Sequence, residues 1–177
     1  MIVKNRYVVA LAALIAFLPS CTGGGGGTVE VLEDPVYGFY LGEKSGDLFE
    51  RVRNKTSWNK TENPRTGYRG KMYEFSRAAD GSREISHLRL TFVDDMLMEV
   101  IAYMKSTNVT KLNLLKHRIE EDYGVNPTSP DGTTEMAYKT YRFKVTDMSI
   151  TLRRITKNPE TELYIQYMHN ELHQRIK

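Results

Sequence analysis

The sequence predicts an α+β fold: an antiparallel sheet with its helices on one face, arranged as two tandem α-β-β-β units. Three observations carry this expectation. The segment His87-Leu88-Arg89-Leu90-Thr91-Phe92 alternates apolar and polar residues with the period of a strand. Leu112, Leu115, Ile119 and Tyr123 recur at helical spacing. A helix followed by three strands then reads twice along the chain.

Taken in order, the first helix is expected after Ser45 as N-cap, with Asp47 in its first turn and Leu48, Phe49 and Val52 on one face. A polar segment, Asn54 to Arg65, leads to a strand over Tyr68 to Phe75 and a loop at Asp80-Gly81-Ser82. The alternating strand His87 to Phe92 turns at Asp94-Asp95 into Met96 to Met104, a hairpin by its pattern. The second helix is expected over Val109 to Tyr123. It is closed by Gly124 as a left-handed cap residue, and Pro127 blocks continuation. Strands over Tyr138 to Val145, Met148 to Ile155 and Leu163 to Met168 follow, with a closing helix over Asn170 to Lys177. Residues 36–177 then form a single α+β globular domain with repeat halves 38–107 and 108–168.

This order resembles the tandem-repeat fold of β-lactamase inhibitor proteins and of the small lipoprotein of the outer-membrane β-barrel assembly machine. The residues carrying the resemblance are Gly38-Phe39-Tyr40-Leu41-Gly42, the hairpin Leu88-Arg89-Leu90-Thr91-Phe92-Val93-Asp94-Asp95-Met96-Leu97, and Asp122-Tyr123-Gly124. No inhibitory or assembly residue of either family matches position by position, so no site is carried over.

The N-terminus carries an address. Lys4 and Arg6 precede twelve apolar residues, Tyr7 to Leu18, the profile of a signal peptide over residues 1–20 and short of the roughly 20 residues of a membrane span. Leu18-Pro19-Ser20-Cys21 resembles a bacterial lipobox, with Pro19 an unusual choice at its second position. The resemblance implies cleavage between Ser20 and Cys21, a thioether lipid such as a palmitate-bearing diacylglycerol on Cys21, and a protein held at the cell envelope, at the outer membrane by the absence of aspartate after the cysteine. Cys21 is the one cysteine among 177 residues, so no disulfide framework competes for it. Two or three acyl chains hold stably where one binds reversibly. Gly23 to Gly27 opens a flexible tether over residues 21–35, with a reach of roughly 20 Å.

Composition bounds the function. Lys and Arg number 25 against 22 Asp and Glu, and removal of residues 1–20 takes away only Lys4 and Arg6. A near-neutral chain without a basic stripe argues against nucleic acid as partner. No Ser-His-Asp set or phosphate loop is legible, and no cofactor is implied.

Two local features carry candidate chemistry. Trp58, the single tryptophan, sits in the polar run Asn54 to Thr61 as a candidate partner-binding anchor, or as a ring folded back over the sheet end. His169 and His173 stand four apart, a helical spacing that suits zinc, but no third ligand is indicated. Asn54, Asn59 and Asn108 open N-glycosylation patterns that are incidental in a bacterial lipoprotein. The expected function is a non-enzymatic binding or assembly module tethered to the membrane and facing the periplasm or the cell surface. The alternative is an envelope enzyme or a periplasmic enzyme inhibitor.

Overall fold

The computed structural model describes residues 29–61, 70–131, 138–157 and 159–176. Ser20, Cys21, the apolar N-terminal run and the glycine tether lie outside the described residues. The elements are α1 (Ser45–Val52), β1 (Trp58–Thr61), β2 (Lys71–Phe75), β3 (Ile85–Val93), β4 (Met96–Met104), α2 (Val109–Tyr123), β5 (Thr128–Asp131), β6 (Tyr138–Lys144), β7 (Met148–Lys157), β8 (Glu160–His169) and α3 (Asn170–Gln174). The strands form one sheet in the order β1-β2-β3-β4-β8-β7-β6-β5, with every pairing antiparallel.

Each first helix is thus followed by four strands rather than three. The additional strands, β1 and β5, are four residues each and form the two sheet edges. Neither has a legible alternation: β1 is Trp-Asn-Lys-Thr and β5 contains Pro130, tolerated at an edge where no ladder donor is needed. Short edges also limit pairing with other chains.

The core follows from strand alternation. Tyr73, Leu90, Val100, Tyr167, Ile150 and Phe143 are successive register partners across six strands. Phe75, Leu88, Ala102, Ile165, Leu152 and Tyr141 form the parallel row beside them. Leu48 and Val52 of α1, and Leu112, Leu115 and Ile119 of α2, join these rows in one buried cluster, so α1 and α2 cover the same face. Burial of each such side chain contributes about 1.5–3 kcal/mol. The third helix instead puts Leu172 into a separate small cluster with Val93 and Met98. Val93 alternates with the inward Phe92, so this cluster lies at one end of the opposite face.

Local chemistry sets the element ends. Asp94 and Asp95 both have positive φ, 49° and 65°, as a two-residue hairpin turn of the primed kind requires. Lys44, not Ser45, is the N-cap of α1, because the Ser45 hydroxyl donates to Asp95 Oδ1 at 2.6 Å and ties the helix start to the hairpin. Asn108 caps α2 by accepting from the Lys111 N–H at 2.7 Å, and Gly124 closes it at φ 62°. Glu84 accepts from Lys111 Nζ at 2.8 Å and from Arg118, pinning α2 to the start of β3. These two cations hold its carboxyl below the usual carboxylate range.

Residues 29–42 form a strap leading into α1. The Leu32 N–H donates to the Leu41 carbonyl at 2.9 Å, and Gly42 and Glu43 pair with Leu97 through two 2.8 Å hydrogen bonds. Arg51 clamps the strap from α1. Its guanidinium meets both carboxylate oxygens of Glu43, at 2.9 and 2.6 Å, donates to the Gly38 carbonyl at 2.7 Å and lies over the Tyr40 ring. Tyr37 takes φ 53° so that its ring meets Tyr167 edge-on at 6.1 Å, and burial pushes its hydroxyl up to about 12. No described helix is long and apolar enough to cross a membrane.

Gly42 has φ +88°, and an added Cβ would stand 2.5 Å from the Glu30 carbonyl oxygen, whereas Gly46 in α1 faces open space. Gly42→Ala is therefore expected to destabilise the full chain by roughly 2 kcal/mol. Gly46→Ala is expected to stabilise it by about 0.5–1 kcal/mol. Urea denaturation midpoints of the two variants check the pair.

Candidate binding face

The phase of β2, β3, β4, β8, β7 and β6 that does not point toward α1 and α2 forms a second sheet face. Register builds it in rows. One row is His87, Tyr103, Tyr164 and Arg153; the next is Glu74, Arg89, Ile101, Gln166, Thr151 and Arg142. A third is Met72, Thr91, Glu99, Met168, Ser149 and Lys144. Among the described residues, the only helix touching this face is α3, at the end where β8 finishes.

The first row is aromatic and cationic. His87 stacks on Tyr103 with ring centroids 4.3 Å apart and planes 8° from parallel, and Tyr164 lies 5.6 Å further along. Arg89 sits 5.7 Å from the Tyr103 ring, and Arg153 sits 5.3 Å from the ring of Tyr138, which is 36% exposed. The Nε atoms of Arg89 and Arg153 are buried without a hydrogen-bond partner among the described residues. Burial raises the Tyr103 hydroxyl above its ordinary value and lowers His87, so the imidazole is neutral at physiological pH.

A bulge sets up the row. Ile85 pairs with Met104 but His87 with Tyr103, so Ser86 is an extra residue that rotates His87 onto the second face. The Ser86 hydroxyl donates to the Tyr103 carbonyl at 3.1 Å and is 3.1 Å from His87 Nδ1. With its single hydrogen used, Ser86 accepts from Nδ1–H, which leaves His87 Nε2 as an acceptor. The pair therefore runs opposite to an activated serine, whose proton the imidazole would take.

At the centre, Glu99 is 7% exposed and Thr91 1%, and Thr91 donates to Glu99 Oε2 at 2.8 Å while Gln166 donates to Oε1. The carboxylate is satisfied by these donors, which gives it a structural role. Charge is uneven across the face. Arg89 pairs with Glu74 at 3.1 Å, while Lys144 and Arg153 stand on β6 and β7, two strands that carry no acid on this face.

The central ladder of β4 with β8 ends at Tyr103 and Tyr164, although β8 continues back to Glu160. Beyond that pair the strands part around a cleft of about 440 Å³. Ser86, His87 and Tyr103 line one side, and Lys157, Thr161 and Glu162 the other.

The residues singled out from the sequence lie elsewhere. Trp58 is half-buried on the helix side, stacked on Phe49 at 5.0 Å and Phe75 at 5.5 Å. His169 ends β8 rather than entering a helix. It is 3% exposed, and its Nε2 donates to the Glu30 carbonyl at 2.9 Å, tying the strap to the sheet. His173 belongs to α3, so the two imidazoles do not share a helix face. Among the described residues no three His, Cys, Asp or Glu side chains converge as a metal site. His87, Tyr103 and Tyr164 were not singled out. Their signal was the appearance of rings on the polar phase of three strands.

No protein-family model matches the chain, and no curated protein matches it. Among solved structures, a cysteine-rich secretory protein of Staphylococcus aureus aligns at 14% identity with a TM-score of 0.37, over 74% of this chain and 45% of its own. The chain spans less than half of that protein's length, and a likeness of this size carries no argument.

Proposed function

We propose that the chain is a membrane-tethered lipoprotein of the cell envelope that works as a non-enzymatic binding or assembly module, docking its partner on the second sheet face. The observation that carries this reading is the row His87-Tyr103-Tyr164-Arg153, left without a covering helix. Aromatic and arginine side chains dominate binding hot spots, because rigid rings bury a large area at small entropic cost. A neighbouring basic flank at Lys144 and Arg153 favours an acidic partner surface and speeds encounter.

The lipobox Leu18-Pro19-Ser20-Cys21 supports the anchor, and the glycine run after it supports a freely swinging tether. An envelope location at the outer membrane, facing the periplasm or the surface, belongs to the same proposal. We further propose that the two halves are tandem units of one helix and four strands. The support is the strand order, in which β4 and β8, the last strand of each unit, meet at the centre.

Two outcomes test the reading. Tagged wild-type chain should recover a stoichiometric partner from detergent-solubilised envelope of its source cells. The double variant Tyr103→Ala with Tyr164→Ala should lose it by about 30-fold or more in affinity, and Trp58→Ala should keep it. Wild type that recovers no partner contradicts the docking face. Separately, Cys21→Ala should lose palmitate-analogue labelling and stop sedimenting with membranes, whereas a variant that still labels contradicts the anchor.

A further inference from the structure

We propose that the cleft where β4 and β8 part binds a neutral sugar unit, a pyranose of an envelope glycan. The inference rests on the binding-module reading and names the ligand chemistry at one end of the same face.

Size admits it: about 440 Å³ lies within the range of small-ligand sites. The floor is apolar, made by Met104 and Leu163, which are 4% and 1% exposed. One wall is the His87 ring, held rigid by its stack on Tyr103 and its bond to Ser86. Tyr103 lines the cleft as well, so the stacked pair presents one aromatic surface, and aromatic rings receive the weakly positive C–H hydrogens of a pyranose.

Charge narrows the class. Arg89 is paired with Glu74, Lys157 stands 3.8 Å from Glu162, and burial keeps His87 neutral. An anion would meet the Glu162 carboxylate, and a cation would meet Lys157 and Arg89. The lining combines acceptors at His87 Nε2, Glu162 and the hydroxyl oxygens of Ser86 and Thr161, whose protons are spent on the Tyr103 carbonyl and on Thr156, with donors at Lys157 and Arg89. Such a set of interleaved donors and acceptors with balanced charge matches a polyhydroxylated neutral ligand.

The test is saturation-transfer NMR and calorimetry on the full-length chain in a sugar-free detergent. The probes are chitobiose, which is N-acetylated, cellobiose, which is not, and end-blocked trialanine as an extended peptide. Binding of at least one disaccharide at millimolar Kd or tighter is expected, with His87→Ala and Glu162→Gln each weakening it at least tenfold while unfolding midpoints of Glu162→Gln stay unchanged. The two disaccharides separate an N-acetylated glycan source from an unmodified one, and either supports the proposal. Absence of transfer to both sugars, binding that both variants retain, or a preference for trialanine overturns it. A chain blind to sugars that still recovers an envelope partner through Tyr103 and Tyr164 fails the sugar proposal alone; a chain that does neither fails the binding-module reading as well.

Discussion

The five-residue ladder between β4 and β8 is the contact on which the rest of the fold depends. Its pairs run from Glu99 with Met168 to Tyr103 with Tyr164, and it joins the strand that ends the first set of four to the strand that ends the second, more than sixty positions apart. Without it the described chain has two four-stranded sheets, one with α1 and one with α2 and α3, each with a raw edge at its last strand. With it, Val100-Tyr167 and Ala102-Ile165 link the apolar rows of both halves into one core. The same five pairs set Tyr103 beside Tyr164 on the other face. Core and second face are two sides of one set of pairings, because side chains alternate across a strand.

Irregularities at the two ends of β3 and β4 shape what the ladder presents. The extra residue Ser86 turns His87 outward at one end, and the extra residue Met98, opposite the Thr91–Phe92 step, occupies the other. There Met98 packs with Val93 and Leu172 under α3, where Val29 of the strap also packs. The chain thus enters the fold at the α3 end of the second face, while the aromatic row and the cleft lie toward the opposite end of β4 and β8.

Much of this fold was legible in the residues. The hairpin of β3 and β4 and the full extent of α2 follow from strict alternation, from Asp94-Asp95 and from Gly124. The edge strands were not legible, because a four-residue edge needs no apolar face and β5 even accommodates proline. The N-cap of α1 moved by one residue because Ser45 spends its hydroxyl on Asp95, a partner fifty positions away. Of the two readings of Trp58, the ring folded back over the sheet end is the one the packing matches, although the Phe49 and Phe75 that receive it are brought together only in three dimensions. The imidazole pair was read as helical because residues 169 and 173 have helical spacing, yet β8 claims His169 for the sheet. The row His87-Tyr103-Tyr164-Arg153 depends on three separate pairings and one bulge, none visible before the register is known.

The central claim is that partners meet the sheet face opposite α1 and α2. Photo-crosslinking in intact source cells tests it most directly, with p-benzoylphenylalanine replacing Tyr138 on that face or Leu114, 51% exposed, on α2. A discrete adduct from position 138 and none from 114 is expected. Adducts from 114 alone would contradict it.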